Sequence, residues 1–418
     1  MANIFMRVLI LIGDGMGDRP LRELNNKTPL EKANTPNMDE VARTGICGII
    51  DPIAPGVRPG SAPSHLALLG YDPFTYYTGR GPFEAAGVGI KINPDDVAFR
   101  CNFATVNNNL TILDRRAGRE TEGFDRLATA LNGFKLKCAP AVEVTFSKAT
   151  AHRAVLILSG PNLSPKVSDG DPEITNVKPL EVKPLEDTPE AKLTARMVNE
   201  FVHSSHEILE RHEVNRERVK TGKMPANFIL TRGAGNPPKM ETLKEKYGLS
   251  SSACIAEVAL VKGVAVYAGM KIIEVPGSTA GLDTDTRAIG RAALKSIQNN
   301  EFVVVNVKGP DVAGHDGNIE GKIAIIEKMD DMIGDILNGI NREETYLALT
   351  ADHSTPIEVR DHSGDPAPIA ITGPTVRVDD VTSFNERAVA KGGLDRIRGL
   401  DLMPILLDLL GKAIKFGA

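Results

Sequence analysis

Cysteine is scarce in this chain of 418 residues: Cys47, Cys101, Cys138 and Cys254 are all there are, set far apart with no Cys-x-x-Cys pair. That spacing argues against a disulfide framework and against a thiolate metal site, and it suits a reducing compartment. Long apolar runs are missing too. The run at 8–12 is short and lacks a small-residue cleavage pattern, and no stretch approaches the ~18 apolar residues of a membrane span. The expectation is a soluble, cytoplasmic protein with no membrane partner. Basic charge is not in excess: a net charge of −5 argues against a nucleic-acid groove, whose surface is usually basic. Repeats and low-complexity segments are absent. What remains is ordinary globular composition, 42% apolar and 25% charged, with length for about two or three domains.

Against that background the histidines stand out. Three of the eight fall within one C-terminal stretch, as Asp311-Val-Ala-Gly-His315, Asp352-His353 and His362. The first two clusters follow apolar runs at 302–307 and 346–350 that read as buried strands, so each delivers its polar groups at a strand's C-terminal end, where open α/β sheets place their chemistry. Carboxylate and imidazole together suit Zn²⁺, Mn²⁺ or a similar ion. Two aspartates and three histidines are too many for one ion that keeps an open position, which points to two divalent metals. A third aspartate joins them at the N-terminus, where the run 6–12 ends in Gly13-Asp14-Gly15. Asp14 alone could cap a turn and His353 could be a satisfied buried histidine, but the joint pattern favours the metal reading for both; Asp361 and Asp365 stay open as alternatives to His362.

A further segment, Val57-Arg-Pro-Gly-Ser61-Ala-Pro-Ser64-His65, brings hydroxyls into a tight turn before a helix-like run. A serine there, its oxygen near a cation, would be an activated nucleophile. Ser61 and Ser64 are both candidates, with Ser64 also reading as a helix N-cap.

All metal-type residues lie at the two ends of the chain. Residues 1–80 and 275–418 therefore read as one discontinuous metal-binding core, and 81–274 as an inserted α/β or α+β domain. Strands at 302–307, 346–350 and 367–372 alternate with helices at 286–297 and 319–340, which implies an α/β fold with a mostly parallel sheet covered by helices on both faces. The insertion begins with a strand-like alternation at 96–106, has another strand at 154–159, and carries a long amphipathic helix at 190–212. Gly79-Arg-Gly-Pro reads as a turn between the domains.

The order of these motifs resembles the alkaline phosphatase superfamily. More narrowly, Leu66-Ala-Leu-Leu-Gly-Tyr-Asp-Pro73, Asp114-Arg-Arg-Ala-Gly-Arg119, Gly281-Leu-Asp-Thr-Asp285 and Lys308-Gly-Pro-Asp-x-x-Gly-His-Asp316 look like the archaeal-type branch of cofactor-independent phosphoglycerate mutase, over nearly the whole chain. The resemblance implies an isomerase of glycolysis and gluconeogenesis that interconverts 3-phosphoglycerate and 2-phosphoglycerate through a phosphoserine, without 2,3-bisphosphoglycerate. It selects Ser61 as nucleophile, four residues before His65, although Ala62 stands where relatives often carry an acidic residue. It implies one ion on Asp14, Ser61, Asp352 and His353 and a second on Asp311, His315 and His362, with Asp316 orienting His315. Mn²⁺ or Zn²⁺ fits such donors best, with Co²⁺ or Mg²⁺ as substitutes.

A substrate with a carboxylate and a phosphate calls for arginines able to pair bidentately. Arg116, Arg119, His152, Arg153 and Arg232 stand in segments resembling the family's, and Lys308 adjoins the metal loop; for each, a plain surface role is the alternative. A metal-dependent phosphohydrolase, a phosphopentomutase or a phosphonate-cleaving enzyme would share the metal residues, and a catalytically inactive binding protein would be expected to lack a ligand or the nucleophile. The native metal and a homo-oligomeric state are left open.

Overall fold

The computed structural model describes residues 6–417. The strands run, in chain order, β1 Arg7–Gly13, β2 Gly45–Asp51, β3 Val97–Val106, β4 Ile112–Asp114, β5 Glu143–Lys148, β6 Arg153–Ser159, β7 Phe228–Gly235, β8 Ser252–Ala256, β9 Lys271–Ile272, β10 Phe302–Val307, β11 Thr345–Thr350, β12 Ala367–Thr372 and β13 Asp395–Arg398. They fall into two sheets in two compact units, one of Met1–Tyr76 with Met240–Ala418, the other of Tyr77–Lys239. Among the described residues no helix is long and apolar enough to cross a membrane.

The first unit holds an eight-stranded sheet in the order β13-β2-β12-β11-β1-β10-β8-β9. Strands β11, β1, β10, β8 and β9 run parallel to one another, and β12 is antiparallel to both its neighbours. β10 and β11 are buried along their whole length, which explains why they read as mostly apolar runs without alternation: a parallel sheet has no solvent face to alternate against. The register sets Gly13 beside Val307 and Ile12 beside Thr350. Three strands far apart in sequence therefore end at the same edge, and Asp14, Lys308 to Asp311, and Asp352 to His353 emerge there together.

Helix Ser61–Leu68 is buried at seven of its eight positions, packed against helices Ala259–Tyr267 and Gly399–Leu409. A helix apolar all round is held from several sides, so Ser61 sits on a rigid mount. Pro63 falls in its first turn, where a missing N–H costs nothing. The helix thus starts at Ser61 with Gly60 as its N-cap, and Ser64 lies inside it rather than at its start.

The expected return to the core near residue 275 comes earlier, because β8, β9 and helix Ala259–Tyr267 belong to the first unit. The run Ser-Ala-Cys-Ile-Ala of β8 has little β-branched character; its place comes from parallel pairing with β10. The second unit is a five-stranded antiparallel sheet, β4-β3-β6-β5 with β7 also on β3. Phe103, Phe124, Phe146 and Phe201 form the centre of its core, contributed by β3, β5 and helices Phe124–Leu131 and Pro189–Glu210.

Candidate active site

At the common edge three carboxylates and three imidazoles converge. Among the described residues three groups of donors have atoms within 4.8 Å of one another, the first two being Asp14 with Asp352 and His353, and Asp311 with His353 and His362. His315 groups with Asp361 and His362 by the same measure, and its Nε2 is 3.4 Å from Asp311 Oδ1. His353 is shared by the first two groups, so they form one continuous cluster.

Each histidine is aimed by its other nitrogen. Nδ1 of His362 lies 2.7 Å from the Pro59 carbonyl, Nδ1 of His315 lies 2.9 Å from the Arg360 carbonyl, and Nδ1 of His353 lies 3.1 Å from the Thr355 hydroxyl. A proton held there leaves each Nε2 lone pair free to face the carboxylates, the orientation that metal-ligating histidines need. The group at Nδ1 of His315 is a main-chain carbonyl, where Asp316 was expected. The Thr355 hydroxyl also donates to Asp311 Oδ1 at 2.8 Å, joining the two donor groups. Gly15, at φ +62°, lets the backbone pass: a Cβ there would lie 2.5 Å from Thr355 Oγ1 and 2.8 Å from Asp311 Cα.

The electrostatics fit an added cation. Burial raises the Asp352 carboxyl well above the usual carboxylate range, and Asp14 and Asp311 push it the same way. Its Oδ2 is buried without a hydrogen-bond partner. Burial, then His362, holds His353 well below the ordinary imidazole value. Lys308 supplies an ammonium here, its Nζ 2.6 Å from Asp14 Oδ1 and 2.7 Å from Asp311 Oδ2. Burial alone would lower its pKa, but Asp14, Asp311 and Asp352 outweigh that and raise it. Lys308 therefore lies among the carboxylates. Ser61 Oγ lies 3.4 Å from His353 Nε2, whereas the Ser64 hydroxyl is buried with no partner.

A second, fully buried lysine braces the edge. Lys322 Nζ contacts Asp18 Oδ2 at 2.7 Å, the Thr355 carbonyl at 2.9 Å and the Gly17 carbonyl at 3.2 Å, tying the loop after β1 to the segment after β11. Removing one partner of a buried ion pair leaves the other charge uncompensated. Lys322→Met is expected to destabilise this unit by about 3–5 kcal/mol, read as a lowered denaturation midpoint. A change below about 1 kcal/mol would refute the brace.

In the second unit the sheet register gathers the expected substrate residues. Arg232 on β7 stands opposite Arg100 on β3, and Arg153 opens β6 opposite Asn102. His152 is held down to about 3 by burial first and then by Arg153, Arg100, Arg116 and Arg119, which places four arginines around it. Arg232 also pairs with Glu173. Three members had not been singled out: Arg80, Arg100 and Glu84. Arg80 and Glu84 lie one turn apart on helix Arg80–Gly87, the segment expected to be an interdomain turn, and Glu84 Oε1 lies 3.4 Å from Arg80 Nε and 3.7 Å from Arg100 Nε. Burial, then Arg80 and Arg153, holds Arg100 well below the usual guanidinium value. The available signal was an arginine and an asparagine inside the alternating strand β3.

A mostly parallel sheet that brings Asp/His clusters and a serine on a buried helix to one edge has the parts of a metal-assisted phosphoryl-transfer site. A family model described as 2,3-bisphosphoglycerate-independent phosphoglycerate mutase matches residues 42–215. A relative of that description from Methanothermobacter thermautotrophicus is 53% identical over 414 residues, covering 99% of this chain and 100% of the relative. Among solved structures, a Pyrococcus horikoshii protein aligns with TM-score 0.85 at 39% identity, over 99% of this chain and 100% of its own. The cofactor-independent phosphoglycerate mutase of Thermoplasma acidophilum aligns with TM-score 0.69 at 36% identity, over 97% of this chain and 100% of its own. The chain belongs to the 2,3-bisphosphoglycerate-independent phosphoglycerate mutase family.

Proposed function

We propose that this chain interconverts 3-phosphoglycerate and 2-phosphoglycerate through a phosphoserine at Ser61, with two divalent cations and no bisphosphate primer. The observation that carries the reading is the Ser61 hydroxyl, 3.4 Å from His353 Nε2 at the edge where Asp14, Asp311 and Asp352 gather. Asp14, Asp352 and His353, with Ser61, would hold one ion; Asp311, His315 and His362 would hold the other, with His353 near both. Such ions, when bound, lower the pKa of an adjacent hydroxyl and offset charge on phosphoryl oxygens. Mn²⁺ or Zn²⁺ suits mixed carboxylate and imidazole donors.

Ser61 Oγ takes the phosphoryl group from the 3-position, leaving glycerate, and the 2-hydroxyl takes it back. Lys308 offsets charge at the transferring group. Arg116, Arg119, Arg153 and Arg232, with His152, recognise the carboxylate by paired hydrogen bonds, the substrate-binding part being the inserted unit. Such an enzyme serves glycolysis and gluconeogenesis in the cytoplasm. Purified protein given 3-phosphoglycerate with Mn²⁺ and no 2,3-bisphosphoglycerate should form 2-phosphoglycerate, read by coupled assay or ³¹P NMR. Inorganic phosphate as the main product would move the chain to the hydrolases.

A further inference from the structure

We infer that His65 and Asn306 are positioning residues, a hydrogen-bonded strut that ties the main chain at Ser61 to the Asp14 carboxylate; the inference rests on Ser61 being the nucleophile. His65 Nδ1 lies 2.7 Å from the Ser61 carbonyl, His65 Nε2 lies 3.2 Å from Asn306 Nδ2, and the same Nδ2 lies 3.0 Å from Asp14 Oδ2. All of these side chains are buried.

The direction of every bond in the strut follows from one fact: a carboxylate oxygen can only accept. The Asn306 amide must therefore turn its NH₂ toward Asp14. Its second N–H then points at His65 Nε2, which has to accept. The imidazole proton is thereby placed on Nδ1, where it donates to the Ser61 carbonyl. Asp352 Oδ2, 3.5 Å from the same Nδ1, faces that proton as well. A single neutral tautomer satisfies the whole chain of contacts.

The strut holds its shape at a cost. Asn306 is the one polar side chain in the apolar strand β10, paired in register with Ile12, two residues before Asp14. Its Oδ1 is buried without a partner, and a buried polar atom left unpaired is destabilising. A valine would pack there more cheaply, so stability alone does not account for an asparagine. What the amide gains is a link between two parts of the site that the backbone leaves independent: the turn that presents Ser61 and the strand end that presents Asp14. His65 and Asn306 are 2% and 0% exposed and contact the Ser61 carbonyl and Asp14, so in this reading their effect falls on how well the serine is aligned for transfer.

The test uses the full chain labelled with ¹⁵N-histidine. Long-range ¹H–¹⁵N spectra of the wild type should show His65, assigned by the signal lost in His65→Gln, protonated at Nδ1 and bare at Nε2. Asn306→Asp keeps the shape and removes the donor. It should abolish that tautomer and lower kcat for 2-phosphoglycerate formation by about 10–100-fold, with KM changed less than about twofold. An Nε2–H tautomer in the wild type overturns the strut, whether or not the variants fold. So does wild-type kcat in Asn306→Asp, or a loss expressed in KM alone. If Ser61→Ala stays active, the nucleophile reading fails; if Ser61→Ala is inactive while Asn306→Asp is normal, only the strut fails.

Discussion

Ser61→Ala is expected to convert 3-phosphoglycerate at least about 10⁴-fold more slowly than the unaltered chain, as loss of a covalent nucleophile does elsewhere. The substitution removes one oxygen from a helix whose other buried positions are untouched, and it spares Asp14, Asp352 and His353. Metal should therefore still bind and the fold should persist, which separates a chemical loss from a structural one. The matching positive result is a phosphopeptide: enzyme quenched during turnover should carry its label on Ser61. Ser64 is the competitor to exclude, since it lies three residues on and its hydroxyl is buried too, though without a partner where Ser61 has His353. Label on Ser64 or on a histidine, or near-normal turnover in Ser61→Ala, would overturn the assignment.

Much of this site was legible because of where the sheet is parallel. β1, β10 and β11 are buried on both faces and so appear as mostly apolar runs, and the polar residues that follow each run mark its end. Asp14, Asp311, Asp352 and His353 were found in that way. What escaped were polar residues inside apolar patterns. Asn306 in β10 and Lys322 on the packed face of helix Ile319–Gly339 occupy positions where periodicity expects a hydrophobe, while Arg100 in β3 falls on the polar side of an alternating strand and so looked like a surface residue; only their partners across the fold explain them. Thr355 is missed for a different reason: a hydroxyl two residues after His353 carries no signal until the chain turns it back onto the His353 ring and Asp311. The inserted unit was harder still. Its arginines come from β3, β6, β7 and two short turns or helices, so their gathering around His152 depends on cross-strand register, which single-sequence spacing does not encode. The early return at Met240 was hidden because β8 owes its place to its neighbour and not to its own composition.

Exhaustive chelation is expected to lower turnover by at least about 10³-fold, with Mn²⁺ or Co²⁺ restoring it. Asp14, Asp311 and Asp352 crowd one buried edge, and the Lys308 ammonium bridges two of them. Burial first, and then the like charges of Asp14 and Asp311, raise the Asp352 carboxyl, the direction an added cation would reverse. Two consequences separate this account from a merely structural role for the cluster. The metal-free chain should stay folded, because Lys308 spans Asp14 and Asp311 while Lys322 independently fastens the loop after β1. Added metal should then raise the thermal midpoint in a concentration-dependent way, reflecting about 2.7 kcal/mol of added stability at a hundredfold excess over its dissociation constant. Asp352→Asn should weaken that stabilisation and the activity together, since it removes a carboxylate from a donor group without changing its shape. Full turnover after chelation, with metal content verified as negligible, would sink the two-cation mechanism and leave the Asp/His edge without a catalytic role.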